Sequence, residues 1–351
     1  YTALCASRVV NPDNTVLDGG QNGIVLVLSS PNEPATFVVE GISLQNGDQV
    51  PQGFHGGGLY ALTNGVAAGG EITLNNNNIS NNSGGGVDIR YVETLNLTNN
   101  TISANSGSGI FLFRVNTITL NKNIISNNSR NGFGGGIELN RCYTASLTNN
   151  TITNNSSTSN GGGVYFDISG PVNFIDNIIS NNSSERRGGG VSVYGGTVTM
   201  INNTINNNIS TRYDGGGGVD LFVPNKVTLI NNVIRNNSAN EEGGGARIYV
   251  KDGGTIDLTN NTISNNSSGS SGGGVWLSLY SDNELANIYN NIIWNNNAVN
   301  DGADLYINND ANNNYFPSAV NLYNNDFDQS ANGTYIQIPF PIDPTNLNDE
   351  D

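Results

Sequence analysis

Two asparagines five residues apart return along most of this chain, inside a unit of the form L-x-N-N-x-I-x-N-N-S, a variable stretch, then G-G-G-V-x-L. The first column runs Asn77, Asn100, Asn123, Asn150, Asn177, Asn203, Asn232, Asn261, Asn291, Asn325. The second runs Asn82, Asn105, Asn128, Asn155, Asn182, Asn208, Asn237, Asn266, Asn296. Successive members of the first column are 23 to 34 residues apart, so the unit lengthens while its asparagines keep register. A return of this period marks a solenoid, in which one coil cannot bury its apolar side alone and must stack on the next. The units carry no helical period. They contain short alternations such as Val87-Asp88-Ile89 and Leu97-Thr98-Asn99, which read as strands of about three to five residues.

Asparagine tolerates the left-handed conformation, and its amide can bond both the backbone and the asparagine of the next coil. The glycine run supplies a tight turn where backbones approach closely. Parallel strands joined by crossovers are right-handed. The predicted fold is therefore all-β: a right-handed parallel β-helix solenoid of about twelve rungs, a rod of roughly 55–60 Å at ~4.8 Å per rung. Residues 1–328 form one domain, with degenerate N-terminal rungs over 1–55 and regular rungs over 56–328. The stretch 329–351, with Pro339, Pro341, Pro344 and an acidic end, is expected to leave the helix.

A net charge of −16 repels polyanions, and no Lys/Arg cluster exists to release their counterions, which sets nucleic acid aside. No run of about 18 apolar residues exists to span a bilayer. The acidity is compatible with Ca²⁺, but no cofactor is implied and no cluster of His and Cys points to a metal. The chain begins at Tyr1 and reads as a trimmed segment with any signal or anchor outside it. Cys5 and Cys142 fall several rungs apart, too far to bridge. Asn155, Asn182, Asn208 and Asn266 open N-x-S/T triplets at column positions expected to be buried, where a glycan has no room. That points to a bacterial or archaeal host.

The repeat resembles the right-handed parallel β-helix repeat family, which includes the pectate lyase-like superfamily and β-helix adhesins on bacterial surfaces. The resemblance covers most of residues 15–328 and implies an extracellular or cell-surface setting. It is specific for fold and weak for activity. The Asp-Pro-His-Asp signature of the family's epimerases is missing, as are clusters of Asp ligands with a nearby Arg.

Alternation on each strand after the glycine run places two columns outward. The first reads Tyr60, Asp88, Phe111, Glu138, Tyr165, Ser192, Asp220, Arg247, Trp276, Asp304. The second reads Leu62, Arg90, Phe113, Asn140, Asp167, Tyr194, Phe222, Tyr249, Ser278, Tyr306. Rings interleaved with carboxylates suit a sugar, whose C–H faces stack on aromatics while its hydroxyls bond carboxylates. The expected ligand-binding residues are Tyr165, Asp167, Tyr194, Asp220, Phe222, Arg247, Tyr249 and Trp276, facing an extracellular polysaccharide or cell-surface glycan. The opposing arrangement is a structural ladder of rings covered by the loops before the glycines.

For catalysis the candidates are Glu138, Asp167 and Arg247. Glu138 and Asp167 are expected about 8 Å apart, the separation of an inverting glycosidase. Arg90, Arg247 and Lys251 could serve a β-eliminating lyase but are not clustered, and His55 reads as a loop residue. A further ladder, Asn78, Thr101, Ile124, Thr151, Ile178, Thr204, Val233, Thr262 and Ile292, resembles the arrays of ice-binding solenoids but follows ordinary strand propensity. Three functions are open at this point: non-catalytic glycan binding or adhesion, a polysaccharide lyase or glycoside hydrolase, and a structural or ice-binding rod.

Overall fold

The computed structural model describes residues 11–30, 34–48, 56–63, 69–213, 215–223, 225–279, 283–309, 318–327 and 332–337. Cys5, His55 and the stretch 338–351 lie outside them. Every strand pair is parallel, and each rung visits the same faces in turn, as four strands of one rung illustrate. Val164–Ile168 lies in sheet 1, Pro171–Ile175 in sheet 2, Ile178–Ser180 in sheet 3, and Ser183–Ser184 in a short ladder that closes the coil. Sheets 1 and 3 have 12 strands, sheet 2 has 11 and the ladder 7. The described residues thus form a parallel β-solenoid, and among them no helix is long and apolar enough to cross a membrane.

The Asn-Asn dipeptides divide two tasks that the sequence reading assigned to one residue. The first member turns the corner: Asn149 and Asn154 hold φ of 57° and 55° and are exposed. The second member stacks inside. Asn150 donates from its backbone N and its Nδ2 to Asn177 Oδ1 at 2.9 and 3.0 Å, and from Nδ2 to the Leu120 carbonyl at 2.9 Å. Its own Oδ1 accepts the same pair of bonds from Asn123. Every polar group of a side chain only 1% exposed is thereby satisfied. The corner position accepts Ala104, Lys122 and Asp176, because it needs only a tolerable positive φ. The stacking position stays Asn, because its carboxamide pairs an oxygen that accepts two bonds with an NH₂ that donates two, all within reach of the neighbouring rungs.

Sheet 3 contributes a single inward residue per rung, the fully buried Ile102, Ile125, Ile152, Ile179 and their equivalents. Sheets 1 and 2 contribute pairs such as Val164/Phe166 and Val172/Phe174, and the two phenylalanine rings stack at 5.6 Å. Burying each such side chain stabilises the rod by about 1.5–3 kcal/mol. Cys142 is free and buried in this core. The four sequon asparagines Asn155, Asn182, Asn208 and Asn266 are each 1% exposed or less.

Two details differ from the sequence reading. Thr334–Gln337 pairs in parallel with Leu305–Asn308, so sheet 1 continues beyond residue 328. In the penultimate rung, Trp276 pairs with Tyr306 and Ser278 with Asn308, which moves Tyr306 into the first outward column and Asp304 out of it. Asp304 stands where other rungs have the last glycine of the run, and its Oδ1 accepts from the backbone N and Nδ2 of Asn296. It closes the second asparagine column, whose last member needs only an acceptor.

Candidate functional site

The outward faces of sheet 1 are covered unequally. From Gly134 onward a glycine early in each run turns back over its own strand with positive φ, as at Gly161 (71°), where an added Cβ would lie 2.3 Å from the Val164 carbonyl oxygen and 2.7 Å from Tyr165 Cβ. The same overlap recurs at Gly216 above Asp220, 2.6 Å from its Cβ. The turns therefore roof much of the first outward column, although Tyr165 stays part-exposed. Asp88, Glu138, Asp220 and Trp276 are 0%, 4%, 2% and 8% exposed, which corrects the expectation that this whole column faces solvent.

Beneath that roof the acids are neutralised locally. Asp88 takes the Arg90 guanidinium at 2.8 Å, and Arg90 itself lies between the rings of Tyr60 and Phe111. Asp220 takes Arg247 at 3.1 Å; Arg247 also meets Glu242 at 3.3 Å and stacks over Trp276 at 5.1 Å. Glu138 has Arg130 at 3.8 Å and Ser108 Oγ at 3.4 Å, yet burial outweighs both and pushes its carboxyl up to about 7. Asp220, Arg247 and Trp276 are thus placed as internal ion pairs and stacking. Lys251 sits at the surface with Asp252, 3.7 Å away.

The second column is less covered, part-exposed from Arg90 to Tyr249, though Ser278 is buried. Tyr194, half exposed, stacks on Phe222 at 4.8 Å and 2°, and Phe222 on Tyr249 at 4.4 Å and 8°. Parallel pairing at one residue per rung sets these rings in line. Below Tyr194 the column continues to Asp167. There an open cleft of about 400 Å³ is lined by Tyr165, Asp167 and Tyr194 from the strands and by Phe133, Asn160, Arg186 and Arg187 from the turns before the glycine runs. Phe133 stacks on Tyr165 at 4.6 Å, and burial, with the charges of Asp167 and Glu138, pushes the Tyr165 phenol up to about 12. It is a neutral hydrogen-bonding group at physiological pH.

Of the eight expected ligand-binding residues, the cleft brings together Tyr165, Asp167 and Tyr194, and Phe222 and Tyr249 extend it along the rod. Of the expected catalytic pair, Asp167 lines the cleft and Glu138 does not. Sequence reasoning missed Phe133, Asn160, Arg186 and Arg187 because turn residues fall outside strand alternation. One signal was available: Arg186-Arg187 is the chain's single adjacent pair of basic residues and directly precedes Gly188. The β-branched ladder of sheet 3 is outward as expected, but the neighbouring column is interrupted by Arg235 and by Trp294, 51% exposed. Among the described residues no group of three or more His, Cys, Asp or Glu is placed to hold a metal.

Stacked parallel rungs, internal asparagine columns and a groove along one outer face define a β-helix protein. Residues 42–205 match the family model for a right handed beta helix region, which gives the solenoid its hand. No curated protein and no solved structure gives a significant match to the chain.

Proposed function

We propose that this β-helix is a non-catalytic glycan-binding module of a secreted or cell-surface protein, with Tyr165, Asp167 and Tyr194 as its central contacts. The observation that carries this reading is the cleft itself. The exposed ring of Tyr194, at the end of the Tyr194–Phe222–Tyr249 stack, borders a space that also holds Asp167 and Asn160. A sugar's C–H face packs on such a ring, and its hydroxyls find a carboxylate, a carboxamide and guanidinium groups beside it. The cleft volume lies within the roughly 300–1,000 Å³ range of small-ligand sites. Binding without turnover is favoured because Asp167 is the one carboxylate that lines the cleft, while Glu138 lies roofed over.

The test is a glycan array on the purified chain, with a reducing-end assay on every hit. Tyr194→Ala combined with Tyr249→Ala should weaken binding by about 1–3 kcal/mol with an unchanged melting temperature, since outward rings supply contact area and no core packing. No retention on the array, or polysaccharide turnover abolished by Asp167→Asn, would defeat the proposal.

A further inference from the structure

Arg114 and Arg141 are exposed near the corner that leads into sheet 2: Arg114 directly follows the strand Ile110–Phe113, and Arg141 lies within the next rung's strand Ile137–Cys142, where the pairing skips from Asn140 to Cys142. Phe113 pairs with Asn140, so the two arginines are one rung apart, ~4.8 Å along the axis. Both are left-handed, with φ of 53° and 54°, and Tyr91 on the preceding rung shares that conformation at 60°. Positive φ costs free energy for any side chain other than Gly, Asn or Asp. Further along the rod the same corner uses Gly195 and Asp252 at its positive-φ positions. Three successive rungs thus place a tyrosine and two arginines at this corner in the left-handed conformation, which other corners of the rod also hold at Ala104 and Lys122.

The arginines are also oriented. The Arg114 guanidinium lies 5.7 Å from the Tyr91 ring centre and 5.4 Å from that of Phe113, and Arg141 lies 5.9 Å from Phe113. Rings that cover a guanidinium face leave its N–H edge free to bond a planar or tetrahedral oxyanion. Among the described residues neither arginine has a carboxylate within ion-pair distance, whereas Arg90, Arg130, Arg212 and Arg247 each do. The corner's acid, Glu93, accepts a hydrogen bond from Asn116.

We propose that this corner binds a sulfate or phosphate ester carried by a sparsely charged polymer lying along the solenoid, two local guanidiniums serving an isolated ester although the net charge of −16 repels a densely charged polyanion. One guanidinium fork satisfies both oxygens of a carboxylate, whereas two forks a rung apart suit a group with three terminal oxygens. Asn140 pairs with Asp167, so the site lies one to two rungs from the cleft, on the same face edge. That one polymer fills both rests on the glycan reading above; the oxyanion site does not.

The test measures binding of the full chain, at physiological ionic strength, to sparsely sulfated dextran, phosphomannan, polygalacturonate and neutral dextran. The variants are Arg114→Asn with Arg141→Asn, a charge-matched control of Arg212→Asn with Arg235→Asn, and Tyr194→Ala. Wild type should bind at least one of the two ester polymers over dextran, and which one it prefers identifies the ester. The corner variant should lose that binding by about tenfold or more, and the control by less than about twofold. Asparagine is at ease at positive φ, so the corner variant should melt no lower than wild type; strain relief and lost binding together separate a binding role from a structural one. Failure of both ester polymers to bind overturns the proposal. So does polygalacturonate bound equally well with the same arginine dependence, or an equal loss in the control. Loss in Tyr194→Ala with none in the corner variant would remove the corner and keep the cleft. The reverse would keep the corner and remove the cleft.

Discussion

Replacing Asn150 with Leu tests the internal column directly, because both neighbours of that side chain are known. The substitution leaves the Asn123 backbone N–H and one of its Nδ2 hydrogens facing a hydrocarbon, since both donate to Asn150 Oδ1 at 2.9 and 3.0 Å. It also strips a donor from Asn177 Oδ1 and from the Leu120 carbonyl. These groups belong to residues that are 1% exposed or less, where no water replaces the partner. Two orphaned donors, each fully buried and so costing about 2–3 kcal/mol, make a gross cost of ~4–6 kcal/mol, which the added apolar burial offsets by ~2 kcal/mol. A net loss of about 2–4 kcal/mol should appear in urea unfolding, with faster hydrogen exchange concentrated at the Asn123 amide and the rungs on either side. The control is Asn149→Gly, which changes the exposed corner residue and should shift stability by only a few tenths of a kcal/mol. A loss under about 1 kcal/mol for Asn150→Leu, or equal losses at both positions, would refute the account of a saturated internal ladder.

The buried Glu138 should make stability depend on pH. Its folded carboxyl titrates at about 7 against an ordinary 4.5, so the folded state holds the proton more tightly; the associated stability is full below about 4.5 and is lost as pH rises through 7. Glu138→Gln should flatten that slope in pH-resolved melts and stabilise the protein above pH 7 by about 3 kcal/mol at most, whereas a parallel slope in the variant would show that Glu138 does not titrate there. Gly161→Ala places a Cβ 2.3 Å from the Val164 carbonyl oxygen at a φ of 71°, so it should destabilise by about 1–3 kcal/mol and loosen the turn that bears Asn160; an unchanged melting temperature would show that the roof over Tyr165 is not tightly set.

The outer groove was only partly legible in the sequence. Alternation after the glycine runs correctly placed Tyr194, Phe222 and Tyr249 in line, because parallel pairing sets equivalent residues of successive rungs directly beside one another and preserves side-chain parity. It did not reveal that Asp220, Arg247 and Trp276 are covered. An outward Cβ is set by the strand, but its access to solvent is set by a turn several residues earlier. It also misplaced Asp304 and Tyr306, since that rung replaces the usual glycines with Gly302-Ala303-Asp304 and the run no longer marks the register.

What the sequence determined by itself was the solenoid and its internal order. A stacked asparagine must both donate and accept, and a single inward isoleucine must fill each rung, so local chemistry repeated every turn leaves one way to stack. What only the tertiary structure decided was which outward residues share a surface. Phe133, Asn160 and Arg187 come from three turns separated by about a rung each, and their convergence on Tyr165 and Asp167 depends on how far each irregular turn reaches across sheet 1. Turn reach depends on length and backbone angles that follow no period, so the repeat that dictates the rod carries no information about the turn residues that complete the cleft.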